Sequence, residues 1–187
     1  MAPNYITLML LNMAIGMALL ALFVWRGLSE KHPAGWAPAF GLVGGIGLST
    51  GLHMIFNWPV EGSYNIAFGE PTVVLGGLFF GAAISLAMGW NLWPLGVVGF
   101  LGGGSAILIG FRIWVLDLTL MPGLAAIGFV LTGLTGVLAA PVLALPDNRP
   151  LKGTAMAVGL AASALWLLFG LMATWGHLTE YADYLPR

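Results

Sequence analysis

Long apolar runs separated by short polar stretches dominate the sequence. Six runs are long enough to cross the hydrocarbon core of a bilayer as a helix, which takes about 20 residues. They comprise residues 5–25, 36–56, 71–88, 95–116, 121–145 and 153–175. Because the connections are short, sequential helices are expected to lie antiparallel. The pattern predicts an all-α polytopic membrane protein, in which a bundle of six transmembrane helices forms a single domain over residues 1–187.

Tryptophan positions support these helix boundaries. Trp prefers the headgroup level of a membrane, where its rings meet apolar groups and its N–H finds a polar partner. Seven of the eight tryptophans fall at or near the ends of the runs: Trp25, Trp36, Trp58, Trp90, Trp93, Trp114 and Trp175. Trp166 lies inside a run.

The composition makes the lipid bilayer the expected surrounding of the chain. Charged residues make up 7% of it, against about 25% in an ordinary soluble domain. The net charge of −1 argues against a nucleic-acid partner. The absence of cysteine excludes thiolate metal sites, iron–sulfur clusters and covalently attached haem.

The distribution of Lys and Arg predicts an orientation in the cell membrane, because cytoplasmic loops carry the excess of these residues. One side of the predicted bundle holds Arg26, Lys31, Arg149 and Lys152, and the other holds Arg112 and Arg187. We therefore expect a multi-pass protein with both termini and the segment 53–71 outside. No basic residue precedes the first run, which indicates a retained span rather than a cleaved signal peptide.

The segment 53–71 differs from the rest of the chain, because it combines polar, aromatic and turn-forming residues. Its Pro and Gly residues predict an ordered loop between two spans. Pro71 is expected in the first turn of the third helix, where its missing N–H costs little. Glu70 would then lie beside the positive end of that helix, where a carboxylate is favoured. On this interpretation, Glu70→Ala disturbs the fold of the loop.

Polar groups from separate segments are expected at the outer end of the bundle, and together they form the candidate binding site. The candidates are His53, Glu61, Tyr64, Asn65, Glu70, Arg112, Asp117 and His177, with Glu180 and Asp183 nearby. Two imidazoles and two carboxylates among them, those of His53, His177, Glu61 and Glu70, are potential metal ligands. No local metal-binding motif such as HExxH supports this hypothesis.

Two further interpretations of the same residues are open. A b-type haem needs two facing histidines, and His53 and His177 are expected at similar depth, whereas His32 lies at the opposite end. Alternatively, Arg112 pairs with Glu61, Glu70 or Asp117 to fix the loop, and the histidines cap helix ends.

Small residues recur at four-residue spacing in spans two to six, which is typical of closely packed membrane helices. Examples are Gly41/Gly45, Gly47/Gly51, Gly77/Gly81, Gly99/Gly103, Ala106/Gly110, Thr132/Gly136 and Gly159/Ser163. They favour packing within the chain, with a substrate groove or an oligomer face as the alternative. The similarity of residues 41–50 to 96–105 also suggests a parallel repeat of a helical hairpin.

The residues Trp58-Pro59, then 62–66 (Gly-Ser-Tyr-Asn-Ile), then 68–71 (Phe-Gly-Glu-Pro) carry a family resemblance. They resemble the corresponding residues of small multi-span prokaryotic membrane proteins that are labelled only as a domain of unknown function. The resemblance implies a polytopic membrane protein. It implies no substrate, cofactor or catalytic residue.

Three functions are compatible with this sequence. The spans hold no mid-membrane carboxylate and no catalytic motif, which favours a non-catalytic module that acts as a homo-oligomer or beside partner membrane subunits. The first alternative is a small transporter or channel with an outward-facing polar lip. The second is a metal- or haem-binding redox protein that uses His53 and His177. A cavity along the bundle would favour transport, and tight packing throughout would favour the subunit role.

Overall fold

The computed structural model describes residues 5–180, except for the side chain of Glu180. Every regular element in this range is helical: α1 is Ile6–Trp25, α2 is Ala37–Asn57, α3 is Glu70–Met88, α4 is Trp93–Val115, α5 is Pro122–Ala144 and α6 is Arg149–Glu180. All six are long and apolar enough to cross a membrane. The predicted all-α fold with six membrane helices is confirmed, and α6 extends beyond the predicted run at both ends.

The helices form a closed, up-and-down ring. Each helix packs against the next one along the chain, and α6 packs back against α1. Three neighbouring pairs have the most extensive contacts: α2 with α3, α4 with α5, and α1 with α6. We call these the tight pairs. The seams that join one pair to the next, α1/α2, α3/α4 and α5/α6, are much less extensive.

Glycine brings α2 and α3 into backbone contact. A Cβ atom added to Gly76 would lie 2.5 Å from the Leu48 backbone nitrogen, and one added to Gly44 would lie 2.4 Å from the Phe80 nitrogen. Such distances are shorter than van der Waals contact allows, so only glycine fits at these positions. Close approach through small residues is how helices associate inside lipid.

The pair α4/α5 uses the same device. A Cβ atom on Gly103 would lie 2.4 Å from the Gly133 carbonyl oxygen, and one on Gly133 would lie 2.5 Å from the Gly103 oxygen. The third tight pair, α1/α6, is joined by a hydrogen bond as well, because Ser163 Oγ donates to the Ala14 carbonyl at 2.7 Å. Most glycines of the predicted pattern therefore pack within the chain.

One structural similarity is consistent with the hairpin repeat that the sequence suggests for residues 41–50 and 96–105. Gly44 and Gly99 occupy equivalent positions in the two similar segments, and each faces the other helix of its own tight pair. The repeat itself stays a prediction.

A π-helical turn, Asn65–Gly69, runs directly into α3, so the third span extends from Asn65 to Met88. Pro71 has no N–H to donate to the preceding turn, and its ring crowds the carbonyl four residues back. A wider turn before the proline accommodates both effects. As predicted, α3 begins at Glu70 and has Pro71 in its first turn, and the π-helical turn continues the helical backbone before it.

Candidate functional site

One end of the ring, which we call the histidine rim, is defined by Tyr5, His53 and His177. The Tyr5 hydroxyl forms a hydrogen bond with His53 Nδ1, and the two rings meet edge to face with centroids 5.0 Å apart. Partial burial raises the pKa of the Tyr5 phenol above its usual value. The phenol therefore stays protonated, and it can donate to the imidazole.

His177 is held in a similar way by the neighbouring part of α1. Its Nδ1 lies 3.0 Å from Thr7 Oγ1. His53 lies on α2 and His177 on α6, and each of these helices packs against α1. The two imidazoles consequently lie on different sides of α1 and do not face each other as a bis-histidine haem requires.

The potential metal ligands are not brought together. Within residues 5–180, no group of three or more His, Asp or Glu side chains lies close enough to hold a metal ion. His53 and Glu61 are exposed, as is Glu70.

Asn65 fixes the fold of the loop between α2 and α3. Its side chain is fully buried. Its Oδ1 accepts a hydrogen bond from the Val60 N–H at 3.2 Å, and its Nδ2 donates to the carbonyls of Val60 and, at 3.2 Å, Gly62. Gly62 has a φ of +62°, which suits glycine at this turn. Asn65, a candidate binding residue, thus acts as an internal staple of the loop.

Tyr64 connects the loop to the interior of the ring. Its ring stacks on Phe68 with centroids 6.3 Å apart. Phe68 meets Phe129 edge to face at 5.5 Å, and Phe129 meets Trp166 in the same way at 5.3 Å. These aromatic side chains fill the space between the histidine rim and the centre of the bundle.

The expected ion pair of Arg112 is absent. Arg112, Glu61, Glu70 and Asp117 are all exposed, and no ion pair joins them in the described part of the chain. Asp117 instead ends α4 with a positive φ of 48°. The backbone N–H of Leu118 bonds to the Ile113 carbonyl at 3.2 Å across this turn, a common way to satisfy the last carbonyls of a helix. Glu180 and Asp183 lie outside the described side chains.

A cavity of about 140 Å³, the central cavity, lies where the three tight pairs meet. All six helices contribute to its lining, for example through Met17, Phe40, Leu78, Gly99, Thr135 and Trp166. No charged residue lines it, and its only side-chain polar groups besides Trp166 are the hydroxyls of Ser105, Thr132 and Thr135. Each hydroxyl donates to a carbonyl of its own helix at 2.7–2.9 Å. The central cavity is therefore suited to apolar, uncharged groups.

Two smaller cavities continue from the central one toward the two ends of the ring. The cavity on the side of the histidine rim measures about 10 Å³ and shares Phe129 and Trp166 with the central cavity. The other measures about 50 Å³ and shares Thr135 and Leu143 with it. Loose packing thus follows the axis of the ring.

Polar side chains inside the membrane link two of the seams, and the sequence analysis did not single them out. Asn12 Nδ2 donates to the Val43 carbonyl at 3.0 Å across α1/α2. Trp166 Nε1 donates to Thr132 Oγ1 at 2.7 Å across α5/α6. Two features of the sequence could have indicated these links: Asn12 is a lone asparagine in an apolar run, and Trp166 is the one tryptophan inside a predicted span.

The opposite end of the ring, the lysine rim, is defined by Lys152 and Ser29. Lys152 is only 6% exposed, and its ammonium donates to Ser29 Oγ at 2.9 Å. From the sequence alone, Lys152 contributed only to the distribution of Lys and Arg that predicts the orientation in the membrane. Its burial reflects the long α6, whose first turn packs against the α1–α2 connection.

A family model described as "Protein of unknown function (DUF981)" matches residues 1–180. No curated protein and no solved structure matches the chain.

Proposed function

The chain belongs to the DUF981 family of proteins of unknown function, and we propose that it is a non-catalytic membrane protein that binds the apolar part of a small molecule in its central cavity. The observation that carries this proposal is the cavity itself, which is lined by all six helices and by no charged side chain. Pockets that bind small molecules are mostly apolar and carry few polar groups.

The size of the central cavity supports a bound molecule. The central cavity has a volume of about 140 Å³. A cavity of about this size in a soluble protein holds benzene or xenon. A ring or a short hydrocarbon chain therefore fits, and its binding would stabilise the folded state.

Binding of fluorobenzene, followed by ¹⁹F NMR with the protein in lipid nanodiscs, tests the proposal. We expect a protein-bound resonance, distinct from that of fluorobenzene in lipid. Leu78→Trp should abolish it, because Leu78 lines the central cavity and a larger side chain fills the space. Leu101→Trp is the matched control, since Leu101 is 67% exposed on the lipid-facing side of α4. A wild-type protein without a bound resonance, or equal signals in both variants, would contradict the proposal.

Transport is the second candidate function, and the alignment of three cavities along the ring favours it. A fully apolar molecule crosses a bilayer unaided, so transport would concern a molecule that also has a polar part. The chain has no cysteine, so Thr135→Cys gives a single thiol at the junction of two cavities. A transporter should allow a charged methanethiosulfonate to reach this thiol from water in proteoliposomes, whereas a closed binding site should not.

The role as a subunit or homo-oligomer stays a prediction with less support. The small residues that suggested an outer docking face pack mainly inside the tight pairs. The redox alternative is also less well supported, because His53 and His177 are held apart by α1.

We further propose the orientation that the Lys and Arg distribution indicates, with the histidine rim and both termini outside the cell. Ser63 and Ala34 are exposed in the connections between helices at opposite ends of the ring. In intact cells, Ser63→Cys should react with a membrane-impermeant maleimide and Ala34→Cys should not. The reverse labelling pattern would overturn the orientation and leave the fold unaffected.

A further inference from the structure

The seam between α3 and α4 differs from the other two seams. Polar side chains bridge α1/α2 and α5/α6, but no hydrogen bond joins α3 to α4 among residues 5–180. The contacts of these two helices at glycine positions are with apolar side chains. A Cβ atom on Gly102 would lie 3.0 Å from Val74 Cγ1, and one on Gly81 would lie 3.1 Å from Leu95 Cδ2.

The central cavity opens to the membrane at this seam. Of all the residues that line it, only Val74 on α3 and Ser105 on α4 are exposed. Val74 contacts Gly102 across the seam, and Ser105 lies one turn further along α4. We call this opening the lateral mouth.

The two smaller cavities extend toward the ends of the ring, but none of the residues that line them is exposed. Toward the histidine rim, Phe129 is in ring contact with both Phe68 and Trp166. Toward the lysine rim, Val24, Val142 and Ala155 line the smaller cavity and are themselves buried. The lateral mouth is therefore the open approach to the central cavity, and it leads from the hydrocarbon region of the bilayer.

Glu70 is the charged group closest to the lateral mouth along the two helices of the seam. It is the only charged residue on α3, and it precedes Val74 by four residues. The two side chains therefore share a helix face, with Glu70 about 6 Å nearer the histidine rim. Arg112, the only charged residue on α4, follows Ser105 by seven residues, which places it about 10 Å away along that helix.

The surroundings of Glu70 indicate a ligand. The carboxylate lies within the third span, is exposed, and has no hydrogen-bond or ion-pair partner within the described residues. Ionisable groups inside membrane spans are costly and usually mark functional sites. A π-helical turn directly precedes Glu70, and such turns are frequent at functional sites.

We propose that the protein binds a cationic amphiphile that enters from the bilayer through the lateral mouth. The apolar tail occupies the central cavity, and the ammonium head group pairs with the Glu70 carboxylate. This inference rests on the proposed function, because it requires that the central cavity holds an apolar group. Beyond the proposed function, the inference specifies the charge of the ligand's head group and the route by which the ligand enters.

Displacement of bound fluorobenzene in zwitterionic nanodiscs tests the head group. Three competitors with the same chain length are compared: n-octylamine, n-octanol and octanoate. At pH 7 their head groups are cationic, neutral and anionic, respectively. We expect n-octylamine to displace fluorobenzene at a concentration about tenfold lower than n-octanol, because a charge-assisted hydrogen bond is added. Glu70→Gln should remove this preference and leave displacement by n-octanol unchanged. Glu61→Gln, at an exposed loop carboxylate, should retain it.

The possible results separate the two proposals. Equal displacement by n-octylamine and n-octanol, or an unchanged preference in Glu70→Gln, overturns the assignment of the head group to Glu70. In either case, a bound fluorobenzene resonance would still support the proposed function of the central cavity. If octanoate displaced fluorobenzene most strongly, the head-group assignment to Glu70 would be overturned, because an anionic head group would pair with Arg112 instead. A missing fluorobenzene resonance contradicts the proposed function, and this inference falls with it.

The route is tested by exchange rates of bound fluorobenzene. Ser105→Trp narrows the lateral mouth and should slow exchange about tenfold, whereas Phe68→Ala, which opens the side of the histidine rim, should leave exchange unchanged. Faster exchange in Phe68→Ala together with unchanged exchange in Ser105→Trp would overturn the lateral route.

Discussion

The tight pairs and the seams are built from the same glycine-rich helices, yet they pack differently. Within a pair, Gly103 and Gly133 face each other and let the backbones touch. Where the pairs meet, large side chains such as Phe40, Phe79 and Trp166 face the centre and keep the pairs apart. Small residues let membrane helices approach closely, and the larger side chains at the seams do not allow the same approach. The contrast explains how one chain combines a rigid frame with an interior cavity.

The largest expected effect comes from a methyl group placed inside a tight pair. Gly103→Ala forces a Cβ atom against the Gly133 carbonyl, and we expect a loss of about 3 kcal/mol in the free energy of unfolding. Gly104→Ala is the matched control, because nothing lies within 4 Å of a Cβ atom at that position. Its effect should stay within about 1 kcal/mol. Reversible unfolding in mixed micelles measures both, and equal losses would refute the distinction between the two helix faces.

A smaller effect is expected at the loop that covers the histidine rim. Asn65→Ala leaves the N–H of Val60 and the carbonyl of Gly62 without their partner, which should cost about 2 kcal/mol. Protease cleavage within residues 58–64 should become faster. Glu70→Ala should not change the cleavage rate, since Glu70 has no partner in the loop. Rapid cleavage in Glu70→Ala together with resistance in Asn65→Ala would contradict this prediction. It would instead support the expectation from the sequence that Glu70 fixes the loop.

The smallest effect is expected at a seam. Asn12→Leu removes the hydrogen bond to the Val43 carbonyl across α1/α2, and such bonds between membrane helices contribute about 0.6 kcal/mol on average. Ser49→Ala is the control, since the Ser49 hydroxyl donates to the Gly45 carbonyl of its own helix. The unfolding free energy of Asn12→Leu should fall by about 1 kcal/mol or less. A loss as large as that of Gly103→Ala would mean that the seams are as tightly coupled as the pairs.

The sequence predicted the parts of this structure that depend on local pattern. Six apolar runs gave the six helices, and the residues of the loop before α3 carried the resemblance to the family that matches residues 1–180. Asn65 was singled out in that loop, although as a binding residue rather than as a staple. Its role depends on loop geometry that the residue types do not reveal.

The central cavity could not be predicted, because it depends on which side of each helix faces the ring. Gly103 and Gly104 are adjacent and chemically identical, but only one meets α5. The packing of α6 against α1 joins the two ends of the sequence and leaves no local signal. The π-helical turn extends the third span by five residues before Glu70, which periodicity alone does not show.

The most direct test compares two substitutions that both add bulk to the interior. Leu78→Trp adds it to the central cavity, and Gly103→Ala adds a single methyl group to a tight pair. Measured as the free energy of unfolding under identical conditions, Leu78→Trp should leave stability unchanged or higher, despite the larger change in volume, while Gly103→Ala lowers it by about 3 kcal/mol. A loss from Leu78→Trp equal to or greater than that from Gly103→Ala would show that the centre is as closely packed as the pairs and would contradict the central cavity.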